Sequence, residues 1–387
     1  MDAYPTRSQI VGASSAKEWQ AIERARRQKA QNIGLTAKDG GPFWIVLTPE
    51  VLTLISEVSQ DKGFLSSLKL PRSYVRARSQ AALKKEAYYS SRIEGAVTSL
   101  EAALRNMARK KKDFADESMQ MIYNNKLALE FMHKHKLSEF SHGLIGELQK
   151  TLVHSTHKDR PITVGQYRKG PIYVVDGQGG IVYQGPAPDK ASTMMDQLVR
   201  WMNHQKPEVH PLVDAALVHL YFVHVHPFDD GNGRSARALS NLYLEKKGYD
   251  FINLLSPSDY FEHHRAAYYR SIRSAEEHGN DATYFVLYYL EALKSELEKI
   301  RAELKKDRKV RDIKELLDGH TRARLNKRQI KAIGFMIGEE APISTRWYCK
   351  INKCSDETAR KDFNELQNLK LLQSDGDGRS TRYFLKI

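Results

Sequence analysis

The sequence predicts a mainly α-helical protein with a β-hairpin near its middle and a small winged-helix domain at its carboxyl end. Apolar residues recur with helical spacing over most of the 387 residues, a period typical of amphipathic helices. Two β-rich runs on either side of a glycine-rich turn indicate the hairpin. Short helices followed by a terminal β-rich run indicate the winged helix. The length favours two or three domains.

Residues 1–115 are expected to form a helical amino-terminal region. Its first 50 residues mix polar helix formers with Gly40, Gly41 and Pro42, which favours an irregular start. Apolar spacing then predicts one helix over 49–67 and another over 73–89. The run 98–101 (Thr-Ser-Leu-Glu) matches a capping box and predicts the start of a third helix.

Residues 116–280 are expected to form the central domain. The hairpin lies inside it, with strands over 172–175 and 181–183 on either side of Asp-Gly-Gln-Gly-Gly. Helical spacing predicts helices over 117–134, 138–152, 189–204, 211–225, 233–247 and 260–278. Gly248 is a plausible end signal for the fifth of them.

Residues 281–320 are predicted to form a charged connecting helix, and residues 321–387 the winged helix. In this tail, helices are expected over 327–338 and 344–351, and Ser355 is expected to cap a third. The third helix would turn polar side chains away from its apolar face; these are Arg360, Lys361, Asn364 and Gln367. They suit DNA, but the acids Glu357, Asp362 and Glu365 weaken the charge, so a protein–protein or dimerisation role stays open.

Composition excludes several classes of protein. Apolar residues make up 41% and charged residues 28%, values that do not fit a disordered chain. Two cysteines are too few for a disulfide scaffold. No apolar leader and no run long enough to cross a bilayer is present, so we expect a cytoplasmic protein without a membrane partner.

The net charge of +14 is concentrated towards the carboxyl end. Residues 294–387 carry 23 basic and 15 acidic side chains, a surplus of 8 out of 14. Such a surplus is typical of chains that bind nucleic acid or acidic partners, and equally of a well-solvated surface.

The most informative run is 226–237, His-Pro-Phe-Asp-Asp-Gly-Asn-Gly-Arg-Ser-Ala-Arg. Gly231 and Gly233 allow the backbone to fold closely round an anion at the start of a helix, where free N–H groups point outward. Arg234 and Arg237 lie three residues apart and can reach the same anion. This spacing indicates a site for consecutive phosphates.

Two further residues of the run suit phosphate chemistry. Asp230 beside the loop is a candidate Mg²⁺ ligand, since Mg²⁺ takes few carboxylates and completes its shell with phosphate oxygens and water. His226 can accept a proton near neutral pH. The alternative interpretation is a surface loop in which Asp230 only caps the helix. The full combination favours phosphate chemistry over that alternative.

This run resembles the signature of Fic-domain proteins, H-x-F-x-[D/E]-G-N-G-R-x-x-R, at every fixed position. The resemblance spans about residues 86–276 and implies a mostly helical Fic core. It implies transfer of AMP from ATP to a hydroxyl of a target protein, with release of pyrophosphate. His226 would deprotonate the attacking Tyr, Ser or Thr, and Asp230 would hold Mg²⁺ between the α- and β-phosphates.

The resemblance assigns the rest of the signature to the nucleotide. Gly231, Asn232 and Gly233 would line the hole for the phosphates. Arg234 would contact the β-phosphate side, and Arg237 the γ-phosphate. Positioning and charge neutralisation dominate such transfers, in agreement with these assignments.

A second stretch, 86–95, resembles the family's inhibitory motif, [S/T]-x-x-x-E-[G/N], through Ser90, Glu94 and Gly95. The resemblance implies that Glu94 pairs with Arg237 and misplaces the γ-phosphate. An arginine without its phosphate needs a counter-charge, which supports this interpretation. The alternative is a solvated glutamate at a helix end.

The hairpin resembles the family's flap, which docks the target's hydroxyl-bearing segment by strand pairing. Residues 165–168 and a following strand carry this resemblance; the strand residues are Ile172, Tyr173, Val174 and Val175. A structural hairpin is the alternative. Tyr268 resembles a position whose ring borders the nucleotide, and core packing is the alternative for it.

The resulting hypothesis is a Mg²⁺- and ATP-dependent protein adenylyltransferase that modifies a protein target and itself and is restrained by Glu94. The same site could remove AMP if Glu94 positions a water molecule. A different class remains open, a DNA-binding transcriptional regulator that uses the Fic core as a nucleotide sensor. Homodimers are plausible under either hypothesis.

Overall fold

The computed structural model describes residues 4–6, 16–67, 70, 72–108, 114–157, 161–175, 179–203, 210–318, 325–339, 341–376, 378 and 381–386. The chain divides into two compact units, Met1–Glu298 and Lys299–Ile387. Helices dominate both units, and the described strands pair in three two-stranded sheets. This confirms the mainly α-helical prediction. In the described part of the chain, no helix is long and apolar enough to span a bilayer.

The amino-terminal region is more regular than its composition suggested. Helix α1 spans Ala16–Gln28, and strands β1 (Gln31–Thr36) and β2 (Pro42–Ile45) pair antiparallel. The turn between the strands is closed by the Asp39 carboxylate, which accepts a hydrogen bond from the Gly41 N–H at 2.9 Å. Such turns are a common use of aspartate, so the prediction of an irregular start was wrong for residues 16–45.

Three helices follow, α2 (Pro49–Ser67), α3 (Arg72–Ile93) and α4 (Leu100–Met107). The cap of α4 is Ser99, whose hydroxyl accepts from the Ala102 N–H. The Thr98 hydroxyl instead donates to Asp116, so the predicted capping box begins one residue too early. Helix α3 is longer than predicted, and its last turns carry Ser90.

Four helices flank the hairpin in the sequence. These are α5 (Glu117–Lys134) and α6 (His142–Leu152) before it, and α7 (Pro188–Asn203) and α8 (Pro211–Val225) after it. Helix α6 begins four residues later than predicted, because Ser141 and not Ser138 caps it. Strands β3 (Tyr173–Val175) and β4 (Ile181–Gln184) pair antiparallel, as predicted. The turn residues 176–178 lie outside the described part of the chain.

Helix α8 is the centre of the first unit, since nearly all of its side chains are buried. It packs against α9 (Asn232–Lys246). Helix α9 ends in a Schellman pattern: the Tyr249 N–H bonds to the Leu244 carbonyl at 2.9 Å, and Gly248 has a φ of 77°. The end signal predicted at Gly248 is therefore correct.

The chain then forms a 3₁₀ turn (Asp250–Leu254), α10 (Pro257–His263) and α11 (Arg265–Glu277). One continuous helix was predicted over 260–278, but the chain breaks at His264, which stands between α10 and α11 with φ −115° and ψ 36°. Helical spacing on both sides of a single non-helical residue does not reveal such a break. Helix α12 spans Thr283–Asp318.

The second unit contains α13 (Lys327–Glu339), α14 (Thr345–Asn352), α15 (Asp356–Asn368) and the antiparallel strands β5 (Leu372–Asp375) and β6 (Arg382–Leu385). Ser355 caps α15, as predicted. Asp362 was expected to lower the charge of the exposed face, but it is buried and accepts hydrogen bonds from Arg328 and Tyr348.

Candidate functional site

The signature run forms the loop between α8 and α9 and the first turns of α9. His226 ends α8 in the left-handed conformation, with φ 50° and ψ 57°, which non-glycine residues adopt infrequently. Its Nδ1 lies 3.1 Å from the Val223 carbonyl oxygen. A carbonyl only accepts, so Nδ1 carries the proton and Nε2 is the basic nitrogen. Burial lowers the pKa of His226, which keeps the ring neutral.

Asn232 braces this loop from within. Its side-chain oxygen accepts from the Phe228 N–H at 2.9 Å, and its side-chain nitrogen donates to the Phe228 carbonyl at 2.7 Å. Gly231 enters α9 with a φ of 87°, a conformation that favours glycine. Because the side chain of Asn232 is bonded to the Phe228 backbone, this residue can bind an anion only through its own backbone N–H in the first turn of α9.

Arg234 and Asp230 form an ion pair at the start of α9. Arg234 Nη2 lies 2.5 Å from Asp230 Oδ2, and Nη1 donates to the Leu152 carbonyl at 3.2 Å. Although Arg234 is buried, its Nε has no acceptor among the described residues. His157 Nε2 also lies 3.0 Å from Asp230 Oδ2. Burial alone would raise the pKa of Asp230, but Arg234 and His157 outweigh it and keep the pKa below its usual value.

Arg237 is held by α3. Its Nε donates to the Ser90 hydroxyl at 2.8 Å, and its Nη2 donates to the Ser90 carbonyl at 2.9 Å and to Glu94 Oε1 at 2.8 Å. Its Nη1 lies 3.3 Å from the Tyr268 hydroxyl. Burial opposes the charge, but Tyr268 and Glu94 raise the pKa of this guanidinium above its usual value. Arg237 is thus a buried cation with an internal counter-charge.

The Glu94 carboxylate lies against the first turn of α9. A Cβ atom placed on Gly233 would overlap Glu94 Oε1 and come within 3.2 Å of Arg237 Nη1. Glycine at this position therefore leaves room for an anionic group directly over the free N–H groups of the helix start. The carboxylate lies where that geometry favours negative charge.

Tyr268 belongs to the aromatic core of the first unit. Its ring is buried and stacks on Phe261 at 5.1 Å between centroids, and its hydroxyl lies 2.9 Å from His219 Nε2. The Tyr268 ring therefore packs in the core, as the alternative interpretation predicted, while the Tyr268 hydroxyl contacts Arg237. The expected border with a nucleotide is not visible in these contacts.

The hairpin is fastened to the end of α8 by Arg168. This side chain is buried and donates to three carbonyls, those of His226 at 2.8 Å, Gly170 at 2.7 Å and Pro186 at 2.6 Å. The Tyr183 hydroxyl of β4 also donates to the His224 carbonyl. The flap base is therefore tied to the turn that carries His226.

The outer face of the flap is apolar and accessible. Tyr173 is 47% exposed and Val175 is 56% exposed, while Ile172 and Val174 are half-buried. On β4, Ile181 is 64% exposed. The four predicted flap residues therefore alternate in burial beside the site.

Sequence reasoning assigned no individual role to three polar residues that shape the site. These are His157, Gln149, which is fully buried and links the Asp230 carbonyl to the Gly165 N–H, and Arg168. The only signal for Gln149 was a polar residue at an apolar-face position of α6. His157 and Arg168 lie in loops, where spacing gives no indication of partners.

The described residues contain no group of three His, Cys, Asp or Glu side chains able to hold a metal ion. Asp230 alone offers an ionised carboxylate beside a buried guanidinium donor that lacks an acceptor. This donor set fits Mg²⁺ only as an ion shared with phosphate oxygens.

Comparison with known proteins agrees with this geometry. Residues 139–244 match the sequence model of the Fic/DOC family. This segment is similar to Fic domains. It contains α6, the flap, α7, α8 and most of α9, and therefore the entire signature run from His226 to Arg237.

Curated relatives extend the similarity beyond that segment. The chain is 30% identical over 240 residues to the protein adenylyltransferase Fic of Nematostella vectensis, covering 59% of this chain and 52% of the relative. It is 28% identical over 228 residues to that of Drosophila mojavensis, covering 58% and 42%. The chain spans about half the length of the curated relatives it matches.

Solved structures support the fold. A Fic family protein from Desulfovibrio desulfuricans G20 superposes with a TM-score of 0.56 at 21% identity, covering 87% of this chain and 96% of that one. A Fic domain containing signalling protein from Bacteroides thetaiotaomicron VPI-5482 superposes with a TM-score of 0.51 at 23% identity, covering 64% and 94%. At these identities the likeness concerns the fold.

Proposed function

We propose that this chain is a protein adenylyltransferase that moves AMP from ATP to a Tyr, Ser or Thr hydroxyl of a target protein, or of itself, and that Glu94 restrains it. The observation that carries the proposal is the Glu94 carboxylate, which bonds to Arg237 at 2.8 Å beside the first turn of α9. An anion already favoured there marks a place where phosphate would bind.

His226 is the proposed general base. With Nδ1 bonded to the Val223 carbonyl and the ring neutral, Nε2 can take the proton of the attacking hydroxyl. The hydroxyl oxygen then bonds to the α-phosphorus, and the bond to the pyrophosphate oxygen breaks. A base of this kind contributes about 10²–10⁴-fold to the rate. Arg168 fixes the turn that orients the ring.

The start of α9 is the proposed phosphate site. The first-turn N–H groups and the buried cations Arg234 and Arg237 supply donors in a region shielded from water. The unpartnered Nε of Arg234 is a donor that a phosphate oxygen would satisfy. Asp230 would hold Mg²⁺, which supplies charge neutralisation when it is bound with the nucleotide.

Glu94 would restrain AMP transfer because it competes with the γ-phosphate of ATP for Arg237. Three of its hydrogen bonds go to Ser90 and Glu94 on α3 and the following turn. A γ-phosphate bound at Arg237 must displace the carboxylate or take a different position. The bound triphosphate is then misaligned for in-line attack, which lowers the rate because reacting atoms need near-attack geometry.

The proposal is tested by mass spectrometry of the purified protein after incubation with ATP and Mg²⁺. Glu94→Gly should gain the mass of AMP on Tyr, Ser or Thr at least tenfold faster than the wild type, because Arg237 becomes free for phosphate. Glu94→Gly combined with His226→Ala should gain none, because the base is absent.

Glu101→Gly is the matched control, since Glu101 is exposed on α4. It should behave as the wild type. Equal AMP labelling of Glu94→Gly and the wild type would contradict the proposed restraint by Glu94. AMP labelling that persists after His226→Ala would contradict the proposed role of His226 as the base.

A second role for the carboxyl-terminal unit is supported by α15. Arg360, Lys361 and Asn364 are exposed on this helix. Glu357 and Glu365 are exposed as well, but Asp362 is turned inward, so the outer face carries one acid fewer than its sequence indicates. We propose that this unit is a winged helix and that it contacts nucleic acid through the phosphates of the nucleic acid.

A further inference from the structure

Helix α3 ends one residue before Glu94, at Ile93. The two backbone N–H groups that follow Glu94 turn back to the carbonyls of Arg92 and Ser91, at 3.0 Å each. Among the described residues, this turn leaves the Ile93 carbonyl without a backbone donor, as is usual for a carbonyl in the last turn of a helix. The position of Glu94 therefore depends on what else holds that carbonyl.

Two side chains of α11 donate to the Ile93 carbonyl. They are Arg265, through Nη2, and Tyr269, whose hydroxyl lies 3.4 Å away. Arg265 is the first residue of α11, directly after the helix break at His264. The dipole of a helix disfavours a cation at its start and favours a cation at its end. Arg265 is therefore stabilised by the end of α3 and not by its own helix.

An ion-paired carboxylate supports the same contact. The side chain of Glu262 in α10 is only 14% exposed, and it lies 4.0 Å from Arg265 Nη1 and 3.6 Å from Arg92 Nε. Arg92 belongs to the last turn of α3. Because one carboxylate attracts both guanidinium groups, it keeps Arg265 beside the end of α3.

The Ile93 carbonyl and the Glu94 N–H belong to one planar peptide unit. A hydrogen bond that fixes the carbonyl oxygen therefore restricts the backbone of Glu94, whose carboxylate lies 2.8 Å from Arg237 Nη2. The next tie to another helix comes three residues later, where the Val97 N–H donates to the Ser118 hydroxyl at 3.1 Å.

We propose that Arg265 is a positioning residue for the restraint, and that its hydrogen bond to the Ile93 carbonyl holds the Glu94 carboxylate against Arg237. Without this bond, the turn that carries Glu94 spends more time in other conformations, and a phosphate meets a free Arg237 more often. This role of Arg265 rests on the proposed function, because it concerns the restraint of AMP transfer.

The AMP-transfer assay with the full chain tests this role. Arg265→Ala should speed self-modification about threefold over the wild type, the effect of removing one cation from a helix end. In the Glu94→Gly background, Arg265→Ala should change neither the rate nor the KM for ATP, because the carboxylate that it positions is absent. Arg265→Lys retains a cationic donor and should restore the restraint.

Arg270→Ala is the matched control, since Arg270 is an exposed arginine on the same helix. It should leave the rate unchanged. If Glu94→Gly is faster than the wild type and Arg265→Ala is not, the role of Arg265 is overturned and the restraint by Glu94 stands. Equal effects of Arg265→Ala with and without Glu94, or a slower reaction in the Glu94→Gly background, would also overturn it.

Hydrogen exchange tests the role without ATP. Arg265→Ala should speed exchange at the amides of residues 94–97 about threefold, because local opening of this turn becomes easier, and Arg270→Ala should not. Unchanged exchange would overturn the role of Arg265 whether or not Glu94→Gly transfers AMP. Faster exchange in a chain that transfers no AMP would leave the hold on Glu94 in place and contradict the proposed function alone.

Discussion

At the scale of single residues, the site is built from buried polar and charged side chains that bond to one another instead of to water. Arg237 is buried yet charged because Ser90, Glu94 and Tyr268 surround its guanidinium. A buried charge that loses its partner is costly, commonly by about 3–5 kcal/mol. Removing Glu94 therefore leaves a strong demand for another anion, which a nucleotide phosphate can meet.

Gly233 provides a sharp residue-level prediction. Gly233→Ala should lower the stability of the wild type by about 1–3 kcal/mol, because the new Cβ overlaps the Glu94 carboxylate. In the Glu94→Gly background the same change should lower stability by clearly less, since the overlap with the carboxylate is gone, only the 3.2 Å approach to Arg237 Nη1 remains, and alanine is the better helix former. Urea unfolding measures the free energy of unfolding of the wild type, the two single variants and the double variant.

Gly143→Ala is the control for that cycle. Gly143 lies in α6, where an added Cβ would meet only the Ser141 hydroxyl at 3.9 Å. It should be neutral or stabilising in both backgrounds. Equal effects of Gly233→Ala with and without Glu94 would contradict the placement of the carboxylate.

The buried histidines predict how stability depends on pH. Burial lowers the pKa of His219 and His226, and lowers that of His224 to about 3. The unfolded chain takes up protons near pH 6.5 while these folded imidazoles remain neutral. Stability is therefore full above pH 6.5 and falls as the pH drops, and His224 alone should cost about 2 kcal/mol by pH 5.

Denaturant unfolding between pH 5 and 7.5 checks this dependence. His224→Gln keeps an acceptor for the Lys38 N–H and should flatten the curve. His142→Gln, at a ring that is 46% exposed, is the matched substitution control. A wild-type curve that is flat or rises towards pH 5 would contradict the assignment.

At the scale of elements, the site depends on how helix ends meet. The turn after α8, the first turn of α9 and the end of α3 converge on one small region. The flap joins them through Arg168, which contacts the turn after α8 and both ends of the hairpin, and through the Tyr183 hydroxyl, which donates to the His224 carbonyl.

Arg168→Ala should loosen the flap, because three carbonyls lose a charged donor and each such bond contributes about 1.5–3 kcal/mol. Limited proteolysis should cut the hairpin about tenfold faster than in the wild type. Arg200→Ala, a change on the surface of α7, should leave that rate unaltered. An equally resistant hairpin in Arg168→Ala would show that other contacts hold the flap.

At the scale of the whole molecule, the two units carry different chemistry. Every residue of the proposed transfer site lies before residue 299, and the exposed cations of α15 lie after it. The second unit has its own core, in which Phe363 stacks on Tyr383 at 3.8 Å between centroids. The proposed roles can therefore be separated by mutation.

Reversing Arg360 and Lys361 to Glu should weaken binding of a DNA duplex, because two phosphate contacts are lost. The slope of log K against log salt should fall by about 2 in an electrophoretic mobility shift series. AMP transfer by Glu94→Gly should persist in the same protein. Wild-type protein that forms no complex at low salt would exclude this role.

The sequence by itself determined the helical class, most helix bounds and the signature loop, because these depend on local periodicity and on residue types that a phosphate site needs. The resemblance of residues 86–95 to the Fic inhibitory motif also implied that Glu94 pairs with Arg237. The tertiary structure decided what no local pattern encodes. This includes the helix break at His264, the regular elements near the start of the chain, the burial of the Asp362 side chain and the hydrogen bonds from Arg168 to the flap and the turn after α8. These depend on partners far apart in the chain, and only folding brings such groups together.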